Sequence, residues 1–206
     1  MKHHDGDGTL RSQADALAIT LAPEAEEVLL AYEQLLLDPG LDLGVVAEGD
    51  RSRIRTRHIL DSLRAVEAIR PNDLEALDLG SGGGLPGVVI AAVLPRLHVG
   101  LVESRRRRVA FLELVLERLG MPNASVVPSR IEDLSEPVDV CFARALAPLA
   151  ESWSLARGLL RPGGRLVYFA GEGAGPSLPV PEGARLEVRA TPVLESTGPL
   201  VIMTLQ

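Results

Sequence analysis

The chain has 206 residues, 46% of them hydrophobic and 24% charged, with a formal net charge of −7. That length and balance suit one globular domain with a real core and exclude a disordered chain. The acidic excess argues against tight non-specific binding of nucleic acid, and a single cysteine excludes an internal disulfide and any cysteine-cluster metal site.

Residues 1–8, MKHHDGDG, read as a disordered lead without the basic-then-apolar order of a secretory signal. No apolar run reaches the roughly 18 residues of a bilayer span. A cytoplasmic protein that makes no contact with membrane is therefore expected.

Helical patterns open the chain, at about 10–20 and at 23–37, where acidic residues of PEAEE suit a first turn ahead of Val28, Leu29, Tyr32 and Leu36. The turn-rich DPGLDLG stops the second, and a third is expected over 54–69, with Ile59, Leu60, Leu63 and Val66 at helical spacing and Pro71 closing it. Residues 9–72 thus form a helical extension ahead of a core at 73–206.

From residue 75 the texture becomes short apolar strands alternating with helices. The strands are EALDL (75–79), HVGLVE (98–103), ASVVP (124–128), VDVCFA (138–143) and GRLVYFA (164–170), with helices at about 86–94, 105–119 and 148–160. Near-continuous apolar strands separated by helices predict an α/β fold with a mostly parallel sheet covered on both faces. Cys141 falls inside such a strand and reads as a buried structural thiol. A loop-like run, 171–183, precedes two tail strands, ARLEVRATPVL and GPLVIMTL, joined by the turn residues ESTG.

The stretch ALDLGSGGGLPGVVIAAVL, residues 76–94, carries the chemistry. Gly80, Gly82 and Gly84 follow the first strand and lead into a helix, where open parallel sheets bind ligands. A glycine turn lets a ligand approach main chain, and the next helix offers unpaired N–H groups. Asp78 stands two residues before the first glycine. Glu103 ends the next strand, about 20 residues on, where a carboxylate can accept both ribose hydroxyls. The same turn would serve a nicotinamide dinucleotide, although nothing downstream resembles a hydride-transfer site, or a strand–helix connection with no ligand.

Five motifs then fall in the order of one family: RHILDSL (57–63), DLGSGGGLPG (78–87), ESRRRRVAFL (103–112), SRIEDL (129–134) and ARALAPL (143–149). Over residues 25 to 206 the chain resembles the glucose-inhibited division protein B family, 16S ribosomal RNA methyltransferases. The resemblance implies a Rossmann-like class I methyltransferase with a seven-stranded, mostly parallel sheet, using S-adenosylmethionine to methylate N7 of a guanine in the small ribosomal subunit. It also implies cofactor contacts at Gly80, Leu85, Ile131, Glu132 and Arg144, with Gly82 and Gly84 in the turn. No metal is expected, and a monomer is. Glu132 equally suits the first turn of a short helix, and Arg144 equally suits a carboxylate partner.

Arg105, Arg106, Arg107 and Arg108 follow Ser104, a candidate N-cap. Cations at a helix N-terminus oppose its dipole, and none of the four has an acid three or four residues on. RNA phosphate would offset that, although a solvated charge run remains the alternative. Arg57 and His58 join the candidate RNA contacts. Arg51, Arg53, Arg55 and Arg57 alternate ahead of the third helix and could equally be exposed, and His58 and Asp61 could share a hydrogen bond. An N7 acceptor needs no general base, and none is evident. Ala170 stands where the family usually has a lysine, and GVVAEGD where it has an NLT-like segment. These departures keep two alternatives open: a divergent methyltransferase acting on a small molecule or another RNA, and a non-catalytic protein that binds S-adenosylmethionine.

Overall fold

The computed structural model describes residues 8–173, 180–190, 194 and 197–206. Most of the expected lead, the middle of the loop-like run and half of the ESTG turn lie outside the described residues. Seven strands form one sheet in the order β3-β2-β1-β4-β5-β7-β6. They are β1 (Glu75–Leu79), β2 (His98–Val102), β3 (Ala124–Val127), β4 (Val138–Arg144), β5 (Leu160–Phe169), β6 (Ala184–Arg189) and β7 (Leu200–Leu205). The first five run parallel, and β7 pairs antiparallel with both β5 and β6. Leu79 of β1 is level with Val102 of β2 and Ala143 of β4, so the strand order reverses around β1 and leaves a crevice at the carboxyl ends.

Side-chain alternation sorts the apolar residues onto two faces. Val99, Leu101, Val140, Phe142 and Val167 face α1 (Leu10–Asp15), α2 (Pro23–Leu35), α4 (Gly87–Val93) and α5 (Arg106–Leu119). Leu79, Val102, Cys141, Ala143 and Leu166 face α6 (Leu149–Arg157) through Trp153 and Ala156. Burial on both sides is why these strands are apolar throughout. No helix among the described residues is long and apolar enough to cross a membrane.

Three expectations are corrected. The second helix runs to Asp42 inside DPGLDLG, five residues past its expected end at 37. It widens into a π-helical turn at Leu36–Gly40 that contains Pro39, whose missing N–H a regular ladder would not tolerate. The third helix is a π-helical turn at Ile54–Leu60, then α3 (Asp61–Leu63), then a 3-10 turn at Arg64–Ala68. β5 begins at Leu160, four residues before the expected strand.

The end of the helical segment is fixed to the sheet by charge. Arg165 on β5, 2% exposed, pairs with the buried Asp73 carboxylate and donates Nε–H to the Ala68 carbonyl at 2.7 Å. Removing one partner strands a buried charge. Arg165→Leu is expected to lower unfolding free energy by about 3–5 kcal/mol in urea titrations.

Candidate functional site

The turn after β1 is held by hydrogen bonds on every side. Ser81 N–H reaches the Val102 carbonyl of β2 at 2.8 Å, and Gly84 N–H returns to the Ser81 carbonyl at 2.8 Å. One oxygen of the buried Asp78 carboxylate accepts from Ser81 Oγ at 2.5 Å and from Gly87 N–H, the first residue of α4, at 3.0 Å. Tyr32 of α2, fully buried, donates its hydroxyl to the Gly83 carbonyl at 2.7 Å. The sequence marked Tyr32 only as a core residue.

Gly80, Gly82 and Gly84 have φ of +70°, +61° and +96°, a region that side chains rarely adopt. Only Gly80 lines the crevice. Gly82 and Gly84 lie in the turn outside its lining. A Cβ on Gly84 would stand 2.9 Å from Tyr32 Oη, and one on Gly87 would stand 2.8 Å from the Asp78 carboxylate. Those glycines make room for protein. Gly82 belongs to the same turn and Leu85 is buried in the core; neither lines the crevice.

The crevice itself has a volume of about 300 Å³ and lies at the ends of β1, β2 and β4. Glu103 sits on its floor, 5% exposed. Its Oε2 accepts from Gly82 N–H at 3.2 Å and its Oε1 from Arg105 N–H at 2.9 Å, with Arg108 Nη1 at 3.5 Å. A carboxylate offers about four acceptor positions, so capacity for a hydroxyl remains. Val102, Ile131 and Leu146 supply apolar walls, and Glu132 borders the same space. An acid on the floor between apolar walls fits a nucleoside, whose ribose offers hydroxyls and whose base offers flat apolar faces. Ser129 and Arg130 also line it. Both lay within a quoted motif, but nothing in their local sequence set them apart.

Ser104 is not the N-cap of α5. Arg105 occupies that position, no side chain caps the helix, and the Arg105 N–H goes to Glu103 instead. The arginine run is also less unpaired than its sequence implies. Arg108 pairs with Glu103, and Arg107 Nη2 reaches the Asp42 carbonyl at 3.3 Å. The side chains of Arg105 and Arg106 carry no partner among the described residues, and both residues are exposed. The earlier cluster is paired throughout: Arg51 with Glu48, Arg55 with Glu33, and both Arg53 and Arg57 with Asp50.

Arg144, at the end of β4, turns toward the helical segment and lines a neighbouring crevice, not the first one. Its Nε lies 3.3 Å from Asp61, and its Nη2 donates to the Arg57 carbonyl at 2.8 Å and meets His58 Nδ1 at 3.0 Å. The carboxylate partner weighed for Arg144 is thus present. His58 and Asp61 share no hydrogen bond; both meet at Arg144, while His58 Nε2 contacts Asp50 at 3.2 Å. His58 lines neither crevice.

Burial and the Arg144 charge push the His58 imidazole down to about 4, with Asp50 opposing them. Burial raises the Asp61 carboxyl despite Arg144 and Arg64. Burial also raises Asp78 to about 6, against the pull of Ser81 and Gly87. The stability that depends on neutral His58 is present above 6.5 and is lost as pH falls through about 4. Asp78 acts in the opposite sense: its contribution is present below 3.8 and is lost as pH rises through about 6. In an NMR titration His58 is expected to stay neutral down to about pH 4, and Arg144→Gln to move its midpoint upward.

The family model described as GidB, rRNA small subunit methyltransferase G, matches residues 25–177. A ribosomal RNA small subunit methyltransferase G of Acidiphilium cryptum is 37% identical over 178 residues, covering 84% of this chain and 82% of that protein. The protein of the same name from Burkholderia thailandensis is 36% identical over 189 residues, covering 86% and 81%. Among solved structures, the O-methyltransferase from Bacillus cereus superposes with a TM-score of 0.61 at 14% identity, over 96% of this chain and 97% of that one. That likeness bears on the fold alone, and it is the class I methyltransferase fold. With the family model covering most of the chain and these relatives matching along most of their own length, this chain belongs to the rRNA small subunit methyltransferase G family.

Proposed function

We propose that this protein methylates N7 of a guanine in 16S ribosomal RNA of the small subunit, with S-adenosylmethionine as donor. The observation that carries the reading is the crevice between Gly80, Glu103 and Ile131, in a chain that belongs to this family. When bound, S-adenosylmethionine supplies an electrophilic methyl group on a sulfonium. Gly80 presents main chain to it, Glu103 accepts from the ribose, and Ile131 and Glu132 border the base. Gly82, Gly84 and Leu85 act through the shape of the turn.

Guanine N7 holds its lone pair in place at neutral pH, so the enzyme's task is alignment and exclusion of water. No base has to be found. Nor does the chain offer a cysteine nucleophile: its one thiol, Cys141, is buried inside β4, and burial pushes its ionisation well upward. Arg105 and Arg106 are free to meet RNA phosphate, with Arg107 and Arg108 beside them. The reading takes residues 73–206 as the catalytic core and 9–72 as an extension that braces it. It also takes the protein to act as a monomer without a metal ion, in the cytoplasm.

Labelled S-adenosylmethionine incubated with small subunits lacking the modification is expected to yield methylated guanine N7, located by mass mapping; no transfer would reject the assignment. Gly80→Val is expected to abolish cofactor binding by calorimetry, because its φ is +70° and a Cβ would stand 2.7 Å from Leu146 Cδ1. Arg106→Glu is expected to leave cofactor affinity unchanged and to weaken RNA binding, lowering the salt slope by about 1.

A further inference from the structure

A second crevice, of about 420 Å³, opens at the carboxyl ends of β4 and β5. Ala145 lines both crevices, with φ of +52°. A non-glycine residue in that region carries strain that persists only where its surroundings require it. The cavity under β1–β3 at Gly100 and the one at the amino ends of the strands near Gly163 share no residue with the first crevice.

We propose that this second crevice receives the acceptor guanine, with the Watson–Crick edge of the base toward Glu172. The proposal rests on the reading of the first crevice as the donor site. Methyl transfer needs donor carbon and acceptor nitrogen in line and nearly touching, so the acceptor must enter space continuous with the donor's. The second crevice adjoins the first at Ala145, which lines both.

Its lining suits a purine nucleotide. The Tyr168 hydroxyl is tied to the Ala147 carbonyl at 3.1 Å, which fixes the ring as a wall. Ala170 leaves the adjoining wall open, and the Arg57 side chain, 44% exposed, stands where a cation can meet the nucleotide's phosphate. Glu172 is exposed and has no partner among the described residues. Guanine N1–H and N2–H are both donors and match one carboxylate, whereas adenine presents a lone pair at N1 and is repelled. N7 lies on the opposite edge of the purine and stays uncovered. Its lone pair forms the new nitrogen–carbon bond as the carbon–sulfur bond breaks. The electron pair of that bond stays on sulfur, and the positive charge passes to the purine.

Two variants test the assignment, each read by S-adenosylhomocysteine affinity in calorimetry and by kcat/KM on undermethylated small subunits. Ala170→Phe fills the second crevice and is expected to lower kcat/KM on the order of 100-fold with cofactor affinity kept within about twofold. Glu172→Gln is expected to lower kcat/KM on the order of tenfold with cofactor affinity unchanged. Unchanged kcat/KM in Ala170→Phe overturns the crevice, and unchanged kcat/KM in Glu172→Gln overturns the base orientation, while an active wild type leaves the donor reading standing. Should Ala170→Phe lose S-adenosylhomocysteine as well, Glu172→Gln decides alone. A wild type that transfers no methyl group to small subunits sinks the donor reading and this proposal together.

Discussion

Beneath the glycine turn, one oxygen of a fully buried carboxylate binds both limbs of a chain reversal. Asp78 takes hydrogen bonds from Ser81, inside the turn, and from Gly87, where α4 begins. A buried acid with two donors on one oxygen fixes the distance between strand end and helix start. That distance sets where Gly80 stands, and with it the shape of the first crevice. Burial lifts the Asp78 carboxyl to about 6, so near neutral pH the site holds a desolvated charge at its centre. The surroundings must keep both donors in place to tolerate it.

Much of that support comes from outside the sheet. Tyr32 holds the Gly83 carbonyl from α2, and Arg144 gathers Asp61, His58 and the Arg57 carbonyl from the following segment. Arg64 continues the brace to the strand on the far side, donating to the Gly198 carbonyl at 2.9 Å just before β7. The helical segment is therefore a wall of the second crevice as well as a cover for the sheet. A hub with this many buried polar partners is unforgiving, since loss of one leaves the others unsatisfied.

The strands were legible in the sequence because both sheet faces are covered, which leaves an apolar run at each one. β1 kept both of its expected ends, whereas β2 and β3 end one residue early, β4 one residue late, and β5 begins four residues early. Gly80 and Glu103 were legible from position, since topology fixes where strand ends meet, whereas Ile131 and Glu132 came only from the family resemblance. Several inferences that depended on a distant partner failed, although the carboxylate weighed for Arg144 is there in Asp61. Gly84 looked like a ligand glycine because Tyr32 lies 52 residues before it and local sequence does not display that contact. The alternating arginines looked like an exposed run because one of their acids, Glu33, sits on another helix. His58 and Asp61 have the spacing for a shared bond, yet each finds a stronger partner in the guanidinium of Arg144. The relatives establish the family, and the packing of the side chains establishes this wiring.

The central claim is that the fixed turn after β1 creates a nucleoside site between Gly80 and Glu103. Residue-resolved amide NMR during titration with S-adenosylhomocysteine addresses it most directly. The account predicts saturable shifts centred on Gly80, Glu103, Ile131 and Ala145, with Gly163 and Gly164 on the opposite, amino-terminal side of the sheet unmoved. Shifts confined to that opposite side, or none at all at saturating ligand, would contradict it.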